Sequence, residues 1–173
     1  MFKQAIRDGS LLYLGLILLV ALSIAFLLPV TPEDYWWYLR LGKEILTNGQ
    51  IARVDTFTWT AAGQPIFYHS WASAVIFWLA YHLGGLSLTV LLRGWVIGAS
   101  FGGIWFIARR LGAGKWSASL AVLVAILAAS NNWAVRPQLL VYPLFVGALA
   151  VLYCWQGGAK RIVFWLPLLA LLW

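Results

Sequence analysis

The chain has 173 residues, 63% of them hydrophobic and 10% charged, with a formal net charge of +7. That is more apolar surface than one soluble core can hide, so a soluble globular domain is excluded and an integral membrane protein is expected. The basic residues stand in ones and twos between apolar runs and form no stripe. This argues against a nucleic-acid partner and makes the charge a signal of topology.

The first apolar run, Leu11 to Val30, contains no charged residue. At ~1.5 Å per residue it covers roughly the 30 Å hydrocarbon core. Lys3 and Arg7 before it resemble the flank of a signal peptide. The run is too long for an ordinary signal core and no A-x-A site follows, so it is expected to stay as a membrane anchor. Next, Thr31-Pro32-Glu33-Asp34 reads as a helix start, with Thr31 as N-cap, Pro32 at the first position and Asp34 at the third. This helix should run to about Thr47 and stop at Asn48-Gly49. Trp37, Leu41 and Ile45 share one face, and Arg40, Lys43 and Glu44 another. The expectation is a helix lying on the membrane, with Tyr35, Trp36, Trp37 and Tyr38 at headgroup level and Asp34 held at the boundary with water.

Residues 50–71 alternate apolar and polar around Val54 to Thr60 and carry a turn signal at Ala62-Gly63-Gln64-Pro65. An extended or irregular segment is expected, supplying Asp55, Thr58, Thr60, Tyr68 and His69. Ser70 to Leu83 follows as a short helix closed by Gly84-Gly85. Its length of about 21 Å is too small for a comfortable span. Four more apolar segments come after it, at Ser87 to Ala108, Trp116 to Val135, Pro137 to Trp155 and Ile162 to Trp173. Gly94, Gly98 and Gly102 form a repeated G-x-x-x-G, the pattern of close helix packing.

Cytoplasmic flanks are rich in Lys and Arg. If Ser70 to Leu83 does not cross, the clusters at Lys3/Arg7, Arg109/Arg110/Lys115 and Lys160/Arg161 all fall on one side. The expected fold is therefore an all-α polytopic membrane protein, a single transmembrane domain with about five transmembrane helices and two extracytoplasmic juxtamembrane helices. The N-terminus is cytoplasmic, and residues 31–86 form the first outer loop. The last apolar run falls short of a full span, which reads as the N-terminal part of a longer protein. The lone Cys154 admits no intrachain disulfide.

The outer loop holds most of the acids, so the chemistry is expected there. The succession of one span, "EDYWWYLRLGKEI", "ARVDTFTWTAAGQPIFYHSW", a Gly-Gly break, a second span ending in Arg-Arg, and "RPQL" resembles bacterial membrane proteins of the GT-C glycosyltransferase superfamily, near the protein-mannosyltransferase-like group. The resemblance covers most of the chain and is carried by residues 31–93 and 136–139. It implies an inner-membrane enzyme of the cell envelope with a polyprenyl-phosphate-linked sugar as donor, a lipid, glycan or protein as acceptor, and an essential acid just after the first span. Asp34 matches that acid by position, with Glu33 beside it. Unlike the family pattern, no second acid follows Asp34 closely.

A lipid-phosphate sugar already carries a good leaving group, so the enzyme needs a carboxylate for the acceptor's proton and cations for the phosphate. Asp34 and Glu33 are the candidate catalytic acids. Arg93, Arg136 and His69 are the candidate phosphate ligands, and Asp55 and Arg40 are further candidates. Each also has a structural reading. Asp34 fits a helix start, Arg93 a snorkelling arginine, Arg136 a loop anchor, His69 a helix-end residue, and Asp55 a partner of Arg53 or a fixed point of its loop. No Walker loop, zinc cluster or H-E-x-x-H occurs. Glu33, Asp34 and Asp55 are too few to predict a metal, and a divalent cofactor stays open. The competing readings are a transporter or channel component, which would place ionisable residues or broken helices at mid-membrane, and a non-catalytic membrane scaffold.

Overall fold

A computed structural model describes residues 9–31 and 34–172. Lys3, Arg7, Pro32, Glu33 and Trp173, which entered the reading above, lie outside the described residues. The described chain is helical: α1 (Ser10–Leu27), α2 (Tyr35–Asn48), α3 (Trp71–Arg110), α4 (Lys115–Ala129) with a 3-10 turn at Ser130–Asn132, and α5 (Pro137–Gln156). A second 3-10 stretch, Lys160–Phe164, leads into α6 (Trp165–Leu172). The extended pairing among the described residues is a single antiparallel bridge between Val54 and Pro65.

Three of these helices, α1, α3 and α5, are long and apolar enough to cross a membrane. The other two expected spans are shorter than the apolar runs that suggested them. Polar Ser130-Asn131-Asn132 tighten into the 3-10 turn and close α4 at 15 residues. The 3-10 stretch before Trp165 leaves α6 with 8.

The chain forms two compact units, one of Met1–Pro29, Arg93–Ala134 and Gln138–Trp173, the other of Val30–Leu92 and Val135–Pro137. In the first, Ile17, Ala21 and Ala25 of α1, Ile97, Phe101 and Trp105 of α3, and Ala118, Val122 and Ile126 of α4 make one buried cluster with Trp133 and Leu139. Each helix contributes residues four apart, which lie on one face. Beside that cluster the glycine repeat faces α1. A Cβ on Gly98 would meet Leu22 at 3.4 Å, one on Gly102 would meet Leu18 at 3.4 Å, and one on Gly94 would overlap the Phe26 ring. The spacing predicted such close packing, and α1 is its partner.

The second unit packs α2 and the loop 49–70 on the first arm of α3, residues 71–83. α2 ends as expected, with Gly49 in the left-handed conformation (φ 66°) and its N–H on the Ile45 carbonyl. The break after the first arm is also where the sequence puts it. Gly85 has φ 60° and ψ −153°, a backbone region open essentially to glycine alone.

The destination of α2's apolar face differs from the expectation. Leu41 and Ile45 are buried with Tyr68 and Ala74, and Trp37, Phe57, Ile66 and Val75 pack around them. Gly42 makes the approach possible, because a Cβ there would overlap the Ala74 carbonyl. Of the four aromatics expected at headgroup level, Tyr35 is 1% exposed and Trp37 and Tyr38 are half-buried. Trp37 stacks edge-on to Phe57, Tyr38 to Phe77, and only Trp36 is exposed. An amphipathic stripe covers itself with the nearest apolar surface, and here the loop and the first arm of α3 supply one.

Candidate functional site

Asp34 precedes α2 as its N-cap residue, with near-helical backbone angles (φ −82°, ψ −12°) and no side-chain cap hydrogen bond. The sequence placed it three positions deeper, behind a Thr31 cap. Starting the helix at Tyr35 leaves the carboxylate uncommitted to backbone amides. It stands instead 3.3 Å, Oδ2 to Nε, from the guanidinium of Arg136, with the two side chains 58% and 40% exposed. Arg136 occupies the connection between α4 and α5, directly before Pro137 opens α5. Residues far apart in sequence thus place an acid and a cation together within one unit, both open to solvent.

Tyr38 is the third member of this group. Its backbone N–H donates to the Asp34 carbonyl at 3.1 Å. Burial pushes its phenol above the ordinary value, the Asp34 charge pushes it further, and the Arg136 charge opposes both. The hydroxyl therefore feels both charged partners. The sequence reading took Tyr38 for a membrane anchor. The available signal was its position four residues after Asp34, on the same helical face.

The remaining candidates are placed as follows. Arg40 is exposed and donates from Nε to Glu44 Oε1 at 2.6 Å, an i,i+4 pair along α2. Asp55 is buried, and its carboxylate accepts the Phe57 N–H at 2.8 Å, the Thr58 N–H at 2.9 Å and the Thr58 hydroxyl at 2.6 Å. These bonds, the Thr58 hydroxyl first, hold its pKa below the ordinary carboxylate value. Asp55 fixes its loop, one of the alternatives open from sequence, and pairing with Arg53 is not its task. His69 is exposed two residues before α3.

Arg93 belongs to the first unit, where it is fully buried. Nη2 donates to the Leu28 carbonyl at 2.5 Å and Nη1 to the Pro29 carbonyl at 3.4 Å, while Nε has no partner among the described residues. Instead of snorkelling toward water, the guanidinium closes the C-terminal end of α1, where a cation also complements the helix dipole. Glu33 lies outside the described residues. No group of three or more His, Cys, Asp or Glu that could hold a metal occurs among the described residues.

Thr89 escaped the sequence reading, and Tyr35 figured in it only as a headgroup aromatic. The Tyr35 hydroxyl and Thr89 Oγ1 are 2.8 Å apart in a buried hydrogen bond, and Thr89 donates to the Gly85 carbonyl at 3.2 Å. They tie the start of α2, next to Asp34, to the glycine break. Thr89 was visible only as a hydroxyl in an apolar run.

No family model, curated protein or solved structure matches the chain.

Proposed function

We propose that the chain is part of a membrane glycosyltransferase that moves a sugar from a polyprenyl-phosphate donor to an extracytoplasmic hydroxyl. The observation that carries this reading is the solvent-open pairing of Asp34 with Arg136 at 3.3 Å. One group can take a proton and the other can hold a phosphate, side by side, and Asp34 follows the last residue of α1 by seven positions. In the proposed step the acceptor oxygen attacks the anomeric carbon from the face opposite the phosphate. The carbon–oxygen bond to phosphate breaks, the acceptor proton passes to Asp34, and the leaving phosphate dianion pairs with Arg136. The anomeric centre inverts.

The buried capping position of Arg93 favours Arg136 as the phosphate ligand and gives Arg93 the task of fixing the exit of α1. Exposed His69 is a secondary candidate for the same phosphate, and Glu33 stands beside Asp34 in sequence. Tyr38 is added as a group able to hydrogen-bond the acid or an incoming hydroxyl. In this reading α4 with its 3-10 extension, and the segment around α6, complete about five spans. Residues 31–86 face the outside of a bacterial inner membrane. The lipid-linked donor then reaches the pair along the bilayer.

Transport is the weaker reading. It calls for an ionisable side chain free to serve a translocation path, and the buried Arg93 has both terminal nitrogens on backbone carbonyls. The test is to incubate membranes carrying the full-length protein with polyprenyl-phosphate sugars and to follow loss of the lipid-linked sugar. Consumption above control membranes is expected for at least one donor. Flux of a solute without any donor consumption would favour transport instead.

A further inference from the structure

We infer that the second unit rests on the bilayer surface through a face the sequence did not single out, the outer stripe of the first arm of α3 together with the loop aromatics Trp59 and Phe67. The inference stands apart from the transferase reading. Along residues 71–83 the inward face, Ala74, Phe77 and Ala80, is buried. The outward face repeats at three- and four-residue steps as Ile76, Leu79 and Leu83, exposed by 41%, 43% and 75%. This arm contains no Asp, Glu, Lys or Arg. Such a stripe on a helix too short to span lies in the interface plane with its apolar side toward acyl chains.

The loop before the arm adds the second half of the surface. Trp59 is 96% exposed and Phe67 84%. The exposure of Trp59 is built in by the Asp55 hydrogen bonds to Phe57 and Thr58 and by the Thr58 hydroxyl accepting the Ala61 N–H at 3.3 Å. The same turn directs Phe57 inward, 5.5 Å from the Trp37 ring, and leaves Trp59 outward. No charged residue occurs between Thr56 and Ser70, and the one acid of the turn, Asp55, is buried and satisfied.

Lipid is the occupant the chain itself favours. The unit begins at Val30, three residues after α1 ends. It leaves through α3, which after the glycine break continues to Arg110 as one of the membrane-length helices. Both tethers hold the unit near the bilayer. An uncharged surface of Trp, Phe, Leu and Ile there suits the boundary between headgroups and acyl chains. The interfacial role expected of the α2 aromatics falls to these residues instead, because most of the α2 rings are consumed by packing.

The test places a nitroxide at Trp59→Cys, Phe67→Cys, Ile76→Cys or Leu83→Cys in a Cys154→Ser background. Lys43→Cys, on the exposed polar face of α2, serves as the aqueous control. Each full chain is reconstituted into phosphatidylethanolamine and phosphatidylglycerol vesicles, and collision rates with oxygen and with a water-soluble nickel chelate are compared. All four positions are solvent-exposed, so none of the substitutions removes a core contact. The expected result is an oxygen-to-nickel ratio several-fold above the Lys43 control at all four positions. Ratios equal to the control would mean a water-facing surface and overturn the inference. Low collision rates with both reagents would mean a protein cover, and would overturn it equally.

Discussion

The phenol of Tyr35 and the hydroxyl of Thr89 share a 2.8 Å hydrogen bond across 54 residues of sequence, buried between α2 and α3. Because Thr89 also donates to the Gly85 carbonyl, the two deletions are unequal. Tyr35→Phe removes one bond and leaves Thr89 satisfied, a cost of about 0.5–1.5 kcal/mol. Thr89→Val strands a buried phenol, a cost of about 1–3 kcal/mol. Denaturant unfolding of the two variants in detergent should rank them in that order. In the double variant the losses should be less than additive. Equal, additive losses would mean that the bond does not form.

Gly42 allows α2 to meet the first arm of α3. Gly42→Ala would drive a methyl into the Ala74 carbonyl and against Trp78, and backbone yields less readily than a side-chain end. A loss of about 1–3 kcal/mol is expected, as for an overpacked core. Gly15→Ala, with nothing within 4 Å of the added methyl, should leave thermal unfolding in detergent unchanged or slightly improved. If both substitutions behave alike, the close approach is absent.

Two groups of the second unit give its stability opposite pH dependences. The Asp55 carboxyl is held below its ordinary value of 3.8 by hydrogen bonds. The folded state therefore binds fewer protons than the unfolded chain at that site. The contribution is complete above the ordinary carboxylate range and is lost as pH falls through the depressed folded value. Burial raises the Tyr35 phenol above 10.0, so its contribution fades as pH rises past that ordinary value. Limited proteolysis of the 55–63 loop should accelerate on acidification, and Asp55→Asn should show the faster cleavage already at neutral pH. A wild-type loop equally resistant at low and neutral pH would contradict the assignment.

The outline of the fold was legible because membrane helices write their length and apolarity directly into sequence. α1 and α5 follow the runs that predicted them, each reaching one residue beyond, to Ser10 and Gln156, the glycine pair breaks α3, and Asn48-Gly49 ends α2. The destination of α2's apolar face was not legible. Trp37, Leu41 and Ile45 read alike whether lipid or protein covers them, and only the fold of residues 50–70 decides. The candidate site was legible as a set of residue types and illegible as pairs. Asp34 and Arg136 stood out singly, and nothing local links them. Arg93, inside the second predicted span, read as a phosphate ligand or a snorkelling arginine, because the carbonyls it serves, Leu28 and Pro29, belong to another helix end.

The proposed orientation makes a further prediction. With Cys154→Ser as background, a cysteine at Thr60 should react with an impermeant maleimide in intact cells, and one at Gly114 should react only after permeabilisation. The reversed pattern would put the Asp34–Arg136 pair on the cytoplasmic side and remove the single outer loop.

The most direct test of the account measures sugar transfer by full-length Asp34→Asn and Arg136→Gln at matched membrane levels. Exposed ion pairs contribute only about 0.2–1 kcal/mol to stability, so a merely structural pair should leave insertion and turnover nearly intact in both variants. If Asp34 is the base and Arg136 the phosphate ligand, Asp34→Asn should lower turnover ~10²–10⁴-fold. Its donor binding should be unchanged or tighter, because the competing carboxylate is gone. Arg136→Gln should weaken donor binding by about 1.5–3 kcal/mol, the value of a hydrogen bond to a charged group. Near-normal transfer by Asp34→Asn, with donor affinity unaltered in Arg136→Gln, would contradict the account.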